Sequence, residues 1–158
     1  MEVRVGNGFD VHQLALNLPF SLGGIKIEHS KGCIAHSDGD VLIHALCDAM
    51  LGALALGDIG THFPDDSDEF LGIDSKVLLD RVVQMIKEKG YKLVNVDITI
   101  LLQQPKISPY VPLMREKIAG VTGISIDRIS IKATTTETLG FIGREEGVAA
   151  YATVLLQS

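Results

Sequence analysis

The chain of 158 residues carries 20 acidic and 14 basic side chains, so its formal net charge at pH 7 is -6. A chain of this length can bury one core, whereas two cores would each be marginal, and we therefore expect one domain over residues 1–158. The acidic balance excludes a broad nucleic-acid-binding role, which needs clustered Lys and Arg. A phosphate ligand would have to be held locally, by metal ions, backbone amides and a few side chains.

The chain shows no pattern that would direct it to a membrane. No run of apolar residues is long and uninterrupted enough to predict a membrane span. Residues 1–5 enter an alternating pattern directly, without the apolar segment of a signal peptide, so we expect a cytoplasmic protein. Cys33 and Cys47 are the two cysteines of the chain, and reduced, buried thiols are the interpretation that such a pair favours.

The N-terminal part of the chain predicts β-structure. Residues 3–11 alternate loosely and contain Gly6 and Gly8, which predicts a strand with a bend or a close backbone approach. The short runs Phe20–Leu22 and Ile25–Ile27 flank a Gly-Gly pair, and this pattern is typical of a tight β-hairpin. We expect the hairpin to form a surface arm.

The middle of the chain predicts helices. Residues 41–57 are almost wholly apolar and predict a buried helix. Residues 74–90 place apolar side chains on one face and predict an amphipathic helix. A third helix should open at Ser108, with Pro109 in its first turn, and end between Gly120 and Gly123.

Three further strands complete the prediction, at residues 96–102, 129–132 and 148–156. The order indicates an α/β fold: one mixed four-stranded sheet with a helical layer on one face, plus the small hairpin arm. Both faces of the last strand are apolar. We therefore expect the sheet face without helices to be covered by oligomerisation.

The first strand ends with one carboxylate and one imidazole. Asp10 and His12 are two residues apart, so in an extended chain their side chains point to the same side. Such a pair is more often a turn with solvated side chains than a metal site, and a metal site needs a third ligand.

His44 is a candidate for that third ligand. It interrupts the apolar helix, where an imidazole needs a partner for its ring nitrogens. Asp40 and Asp48 lie at i-4 and i+4, so a core histidine bonded to one of them is one interpretation. A metal bound by two histidines and a carboxylate is the other, and it would leave the open position typical of catalytic zinc.

Three loops are rich in polar residues. Residues 36–40 precede the buried helix and could cap it, cradle an anion with its free amides, or do both. Residues 58–65 follow that helix. The run at residues 132–137 ends in three threonines and Glu137, and either β-propensity or binding of phosphate and a second metal explains it. The sequence contains neither a Walker-type loop nor a serine nucleophile elbow.

Taken together, these motifs resemble the 2-C-methyl-D-erythritol 2,4-cyclodiphosphate synthase family of the non-mevalonate isoprenoid pathway over essentially the whole chain. The segments that carry the resemblance are Gly6-Asn7-Gly8-Phe9-Asp10-Val11-His12, His36-Ser37-Asp38-Gly39-Asp40-Val41, His44-Ala45, Asp48-Ala49, Gly57-Asp58-Ile59-Gly60, Phe63-Pro64-Asp65, Pro105-Lys106, Ala133-Thr134-Thr135-Thr136-Glu137 and Gly143-Arg144-Glu145-Glu146-Gly147.

The resemblance implies a metal-dependent enzyme, a phosphorus-oxygen lyase. Zinc, or another divalent metal, would be held by Asp10, His12 and His44, one ion per subunit. Magnesium or manganese would bind near Glu137 with the substrate diphosphate. The protein would be a homotrimer with active sites at subunit interfaces.

The implied substrate is 4-diphosphocytidyl-2-C-methyl-D-erythritol 2-phosphate, which would yield the cyclic diphosphate and CMP. His36 and Thr135 would steady the transition state. An isoprenoid diphosphate could occupy a central cavity near Phe141 and Arg144. The residues implied in substrate binding are Asp10, His12, His36, Ser37, Asp58, Ile59, Gly60, Phe63, Pro64, Asp65, Leu102, Gln103, Gln104, Pro105, Lys106, Ile107, Thr134, Thr135, Thr136, Glu137, Phe141 and Arg144.

Two other functions remain open at this point. A trimeric binding module for isoprenoid diphosphates would need Arg144 but not the metal ligands. A zinc phosphohydrolase would use metal-bound water as its nucleophile.

Overall fold

The computed structural model describes residues 1–64 and 70–158. In chain order, the strands are β1 (Val3–Leu16), β2 (Phe20–Leu22), β3 (Ile25–Ile27), β4 (Lys31–Cys33), β5 (Lys92–Leu101), β6 (Ile129–Thr134) and β7 (Gly147–Gln157). The α-helices are α1 (Val41–Ala53), α2 (Ile59–His62), α3 (Ser75–Glu88), α4 (Val111–Thr122) and α5 (Gly140–Gly143), with 3-10 turns at Ser108–Tyr110 and Ile126–Arg128.

The main sheet has the strand order β4-β1-β7-β5-β6, and β2 pairs with β3 as a separate hairpin. Strand β7 is antiparallel to both β1 and β5, whereas β5 and β6 are parallel. Helices α1, α3 and α4 pack on one face of this sheet and share its hydrophobic core. The predicted α/β fold with a helical layer on one face and a separate hairpin is thus confirmed. The hairpin does not form the surface arm that we expected, because Phe20, Leu22, Ile25 and Ile27 are buried in the core.

The predicted count of four strands in the main sheet is wrong, because β4 adds a fifth. This strand is three residues long and pairs with the end of β1, where Leu14 lies opposite Cys33. A three-residue strand with Gly32 at its centre carries no alternation long enough to identify it. The pairing also extends β1 to Leu16, beyond the predicted end at residue 11.

Helix α1 is shorter than predicted. It ends at Ala53 rather than near Gly57, and the backbone amides of Ala55 and Leu56 turn back to the carbonyls of Gly52 and Leu51. Ala55 adopts a positive φ of 55°, which a helix does not allow. Apolar composition continued past the end of the helix because this turn also packs against the core.

The sheet face opposite the helices is exposed in the single chain. Tyr151 of β7 is 46% exposed, while Val148, Ala150 and Ala152 on the helix side of the same strand are buried. On β1 the apolar side chains of Val3, Val5, Phe9 and Val11 are exposed. Within one chain, therefore, the second face of β7 is covered only at its beginning, where Ala149 is buried, and is exposed from Tyr151.

Two glycines allow α1 to lie directly on β1. A Cβ atom at Gly6 would overlap the carbonyl oxygen of Ala49, and a Cβ atom at Gly8 would overlap that of Ala45. The sequence predicted a bend or a close backbone approach at these positions, and the structure shows the close approach. The helix backbone therefore rests on the strand backbone at a distance that no other residue type would allow.

We expect Gly8→Ala to destabilise the fold, because the added methyl group meets helix backbone that cannot rotate away. The expected loss in the free energy of unfolding is about 3 kcal/mol, at the upper end for overpacked cores. Urea unfolding measures it. Gly52→Ala is the control, since a Cβ atom there meets nothing closer than 3.9 Å; it should raise stability by up to about 1 kcal/mol through helix propensity. A loss at Gly8→Ala below about 0.5 kcal/mol, the range of neutral surface changes, would contradict the close-approach argument.

Among the residues that the structure describes, no helix is long and apolar enough to cross a membrane.

Candidate active site

Asp10, His12 and His44 converge at the junction of β1 and α1. The distance from Asp10 Oδ2 to His44 Nδ1 is 3.1 Å, from His12 Nε2 to His44 Nδ1 3.1 Å, and from Asp10 Oδ2 to His12 Nε2 3.3 Å. Asp10 and His12 project from the same side of β1, as the spacing predicted. His44 comes from the first turns of α1, which the two glycines hold against that strand.

The three atoms form a near-equilateral triangle that fits a metal ion. Four tetrahedral ligands at about 2.0–2.1 Å from zinc are separated by about 3.3 Å, which agrees with the three observed separations. The donor set of two imidazole nitrogens and one carboxylate oxygen is one that divalent transition metals prefer. This cluster is the candidate metal site that the described residues contain.

The pKa values of the two imidazoles are shifted in opposite directions, although burial lowers and Asp10 raises both. Burial lowers the pKa of His12, against a smaller opposing effect of Asp10. For His44 burial also lowers the pKa, but the hydrogen bond and the charge of Asp10 outweigh it, so the pKa of His44 is raised. Asp10 therefore attracts positive charge to the point where the three ligand atoms meet.

Asp40 and Asp48 hydrogen-bond elsewhere, and neither is the side-chain partner of His44. Asp40 accepts the backbone amides of Gly23, Gly24 and Ile43. Asp48 accepts the backbone amide of Ile59 and so ties α1 to the loop that follows it. The core-histidine interpretation, in which one of these carboxylates satisfies His44, is thus wrong.

The ring of His44 finds its further partners among two serines. Its Nε2 atom lies 2.9 Å from Ser75 Oγ, at the start of α3, and 3.2 Å from Ser37 Oγ. Both ring nitrogens of this buried side chain are therefore engaged, Nδ1 toward the cluster and Nε2 away from it.

The metal cluster lies in the wall of a cavity of about 420 Å³. The cavity brings together eight of the predicted site residues: Asp10, His12, His36, Ser37, His44, Ile59, Gly60 and Phe63. Four other lining residues are apolar and were not predicted: Ala35, Phe70, Ile73 and Leu78. Apart from the metal cluster, His36 and Ser37, the lining consists of apolar residues and one glycine.

The rest of the predicted loop lies beside this cavity. Asp58 caps α2, where its carboxylate accepts the backbone amide of Thr61 at 2.9 Å. That capping role was not predicted, and it fixes the backbone of Ile59 and Gly60 at the cavity wall. Pro64 is exposed. Asp65 lies outside the described residues.

A second cavity, of about 380 Å³, gathers another group of predicted residues. It is lined by Leu102, Gln103, Gln104, Pro105, Lys106, Ile107, Ser108, Ala133, Thr134 and Thr135. It shares no lining residue with the cavity at the metal cluster. Within one chain the structure therefore keeps residues 102–107, which the resemblance implies in substrate binding, and the predicted metal ligands in separate cavities.

Glu137 is exposed in the loop after β6 and is not among the three residues of the metal cluster in the described structure. Thr136 and Phe141 line a third cavity, of about 380 Å³, next to the exposed sheet face. Arg144 is exposed as well, and its guanidinium forms a two-pronged ion pair with Glu146 at 3.0 Å. The structure does not bring Glu137 or Arg144 to the metal cluster of the same chain.

A profile of the YgbB family matches residues 3–157 of the chain. The chain belongs to the YgbB family. A relative from Bacteroides thetaiotaomicron, named 2-C-methyl-D-erythritol 2,4-cyclodiphosphate synthase, is 57% identical over 157 residues, covering 99% of each chain. The fold is similar to that of two solved structures. The bifunctional IspDF from Campylobacter jejuni has a TM-score of 0.94 and 46% identity over 98% of this chain but only 42% of that longer one. IspF from Plasmodium falciparum, in complex with CDP, has a TM-score of 0.86 and 36% identity over 98% of this chain and 95% of that one.

In this member of the YgbB family, the cavity residues that sequence reasoning missed are the apolar ones. Leu78 was assigned to the core face of the amphipathic helix, and it does pack there, at 4% exposure. The same side chain also lines the cavity, because it lies in the first turn of α3, whose first residue, Ser75, contacts His44 of the metal cluster. An apolar side chain carries the same sequence signal in both settings, so the pattern could not distinguish them.

We expect His44→Ala to reduce divalent metal binding to near zero, because it removes the ligand that α1 contributes to the cluster. Metal analysis of the purified protein by mass spectrometry measures the occupancy. His62→Ala is the control, since His62 lies half-buried on the neighbouring helix α2 and bonds the carbonyl oxygen of Leu56 rather than the cluster. Full metal occupancy in His44→Ala, with parent-like circular dichroism, would contradict the site.

Proposed function

We propose that the protein converts 4-diphosphocytidyl-2-C-methyl-D-erythritol 2-phosphate into 2-C-methyl-D-erythritol 2,4-cyclodiphosphate and CMP. An oxygen of the substrate's 2-phosphate attacks the β-phosphorus of its diphosphate. The new P–O bond closes the ring, and the bond from the β-phosphorus to the bridging oxygen breaks, so that CMP leaves with the electron pair. The observation that best supports this proposal is the Asp10–His12–His44 cluster. It lies in the wall of a cavity whose remaining lining is largely apolar.

The proposal includes two kinds of cation. Asp10, His12 and His44 would hold zinc, and the carboxylate of Glu137 would hold magnesium or manganese together with the substrate diphosphate. When bound, these ions supply positive charge that offsets the repulsion between two phosphate groups and the charge of the phosphoryl group in transfer. This acidic chain has no Arg or Lys in the lining of the metal-cluster cavity, which fits charge neutralisation by cations.

The side chains of the cavity would position the substrate and exclude water. His36 and Ser37 place donors beside the metal cluster, and Thr135 brings a hydroxyl from the second cavity. The apolar side chains of Phe63, Phe70 and Leu78 leave few groups that could hold a water for attack. The 2-phosphate is part of the bound substrate, so its effective concentration as a nucleophile is large, and it would react in preference to the few water molecules in the cavity.

We further propose a homotrimer, with each active site formed between neighbouring subunits. Two observations support it. The cavity of the metal cluster and the cavity of residues 102–108 share no residue, so one chain alone does not assemble the whole predicted site. The exposed apolar face with Val5, Phe9 and Tyr151 gives a surface through which subunits can associate.

The proposal also covers a second ligand and the location of the protein in the cell. An isoprenoid diphosphate could occupy the central cavity beside Phe141, with Arg144 as the nearest predicted cationic partner. A cytoplasmic location is the one expected for an enzyme that uses a nucleotide-linked substrate.

The product decides between the cyclase and its two rivals. Hydrolysis also releases CMP, but it leaves two separate phosphate monoesters. A binding module would release no CMP at all.

We therefore expect phosphorus NMR of the reaction to show two mutually coupled diphosphate signals that grow together with CMP. In water enriched with oxygen-18, the cyclic product should contain no label, because no water attacks phosphorus. His44→Ala should give neither product. Two uncoupled monoester signals, of which only the one from the former β-phosphorus carries oxygen-18, would instead establish the hydrolase.

We expect Glu137→Gln to keep metal at the Asp10–His12–His44 cluster but to lose most of the activation by added magnesium. The amide is a poorer ligand for a hard cation than the carboxylate is. A magnesium titration of the reaction rate measures the effect. Glu116→Gln, which changes an equally exposed glutamate on α4, is the control and should titrate like the parent. A parent-like titration of Glu137→Gln would place the second cation elsewhere.

A further inference from the structure

A chain of buried hydrogen bonds runs behind His44, on the side away from the metal cluster. His44 Nε2 lies 2.9 Å from Ser75 Oγ, and Ser75 Oγ lies 2.5 Å from Asp38 Oδ1. The other carboxylate oxygen of Asp38 accepts the backbone amide of Ser75 at 3.0 Å. Ser75 is fully buried, and His44 is 5% exposed.

The direction of these hydrogen bonds follows from what each group can donate. A carboxylate only accepts, so the single hydroxyl hydrogen of Ser75 is donated to Asp38. The oxygen of Ser75 can then only accept from His44, which requires the imidazole hydrogen to be on Nε2. Ser37 Oγ, at 3.2 Å, is a second oxygen within reach of that same hydrogen.

The consequence appears at the other ring nitrogen. With its hydrogen on Nε2, the neutral ring presents the lone pair of Nδ1 to the point that it shares with Asp10 and His12. A metal ion needs that lone pair. The opposite tautomer would place a hydrogen there and would have to be converted before metal could bind.

We propose that Asp38 and Ser75 are positioning residues that hold His44 in its metal-binding tautomer and orientation, and thereby raise the metal affinity of the cluster. Such partners of metal-bound histidines are typically worth 10–100-fold in affinity. The inference deepens the proposed function, since it depends on His44 being a metal ligand.

The same contacts link three separate parts of the chain. Asp38 precedes α1, and its backbone amide donates to the carbonyl of Ile73 at 3.1 Å. Ser75 is the first residue of α3, whose cap is the neighbouring Asp74. The histidine on α1 is therefore contacted directly by Ser75 at the start of α3, and Ser75 is in turn held by Asp38, a loop residue that neither helix contains.

The first test compares zinc affinities, measured by competition with a chelator. Ser75→Ala removes the acceptor and should weaken zinc binding by about 10–100-fold. Asp38→Asn should weaken it at least as much. The amide has one acceptor oxygen in place of two, so it cannot accept the Ser75 hydroxyl and the backbone amides of Asp40 and Ser75 together, and the Ser75 hydroxyl hydrogen is no longer held away from His44 Nε2. Ser21→Ala is the matched control, because Ser21 is also a buried serine, bonded to Lys26 in the hairpin.

The second test needs no variant, and so it stands even if Ser75→Ala fails to fold. In the zinc-loaded parent, two-bond nitrogen-proton NMR should show His44 ligated through Nδ1, with a slowly exchanging hydrogen on Nε2. Ligation through Nε2 would overturn the proposal.

The possible results distinguish a failure of the positioning role of Ser75 and Asp38 from a failure of the metal site itself. If Ser75→Ala lowers the melting temperature but keeps zinc affinity within twofold of the parent, Ser75 is merely structural and the inference is wrong. If His44→Ala itself still binds zinc, the metal site and the function proposed for it are wrong. Weak zinc binding in Ser75→Ala and Asp38→Asn, with parent-like binding in Ser21→Ala, is the result we expect.

Discussion

The contact between the backbones of α1 and β1 is the constraint on which the site depends. Gly6 and Gly8 remove the side chains that would hold the helix off the strand, so the carbonyl oxygens of Ala45 and Ala49 reach the strand itself. His44 is adjacent to Ala45. Its imidazole therefore falls within 3.1 Å of groups on Asp10 and His12. A helix at ordinary packing distance would leave those ligand atoms too far apart to share one ion.

Asp40 fixes the beginning of that helix. Its buried carboxylate caps α1 through the amide of Ile43, and it also accepts the amides of Gly23 and Gly24 in the hairpin turn. Burial raises the pKa of this carboxyl group, while the three amides act in the opposite direction. The hairpin is thus part of the support of the site. It brings two N–H donors that a buried carboxylate needs, and the carboxylate in turn holds the first turn of the helix in place.

The sequence predicted the long elements well, because periodicity identifies them. Helix α3 lies within one or two residues of its predicted bounds, and the hairpin has the predicted strands. The three-residue β4 gave no such signal. Asp10 and His12 were placed on one face by their spacing alone, but their meeting with His44 is a tertiary fact, which the sequence supported only through the buried imidazole and the family resemblance.

The sequence did not predict the roles of residues whose contacts are with residues far away along the chain. The sequence placed Ser75 only near the start of a predicted helix, yet its hydroxyl contacts His44, 31 residues away. Phe70 and Ile73 are apolar residues without periodic neighbours, and nothing in a one-dimensional pattern directs them to a cavity. The separate positions of Glu137 and of residues 102–107 likewise follow from the sheet topology. Val11 and Leu101 both lie opposite Ala149, so β1 and β5 end at the same end of the sheet, but β7 lies between them and β6 lies one strand further away.

The arrangement of carboxylates explains how an acidic protein can serve a phosphate substrate. Three other carboxylates, those of Asp38, Asp40 and Asp48, accept hydrogen bonds from backbone amides or from the Ser75 hydroxyl. Their charges are therefore held around α1 by groups of the protein itself. Asp10 instead directs an oxygen at two imidazoles. The framework thus concentrates negative potential around one set of open ligand atoms, which favours a cation there. Once a cation binds, the sign of the local field is reversed, and an anion can be held without any cluster of arginines.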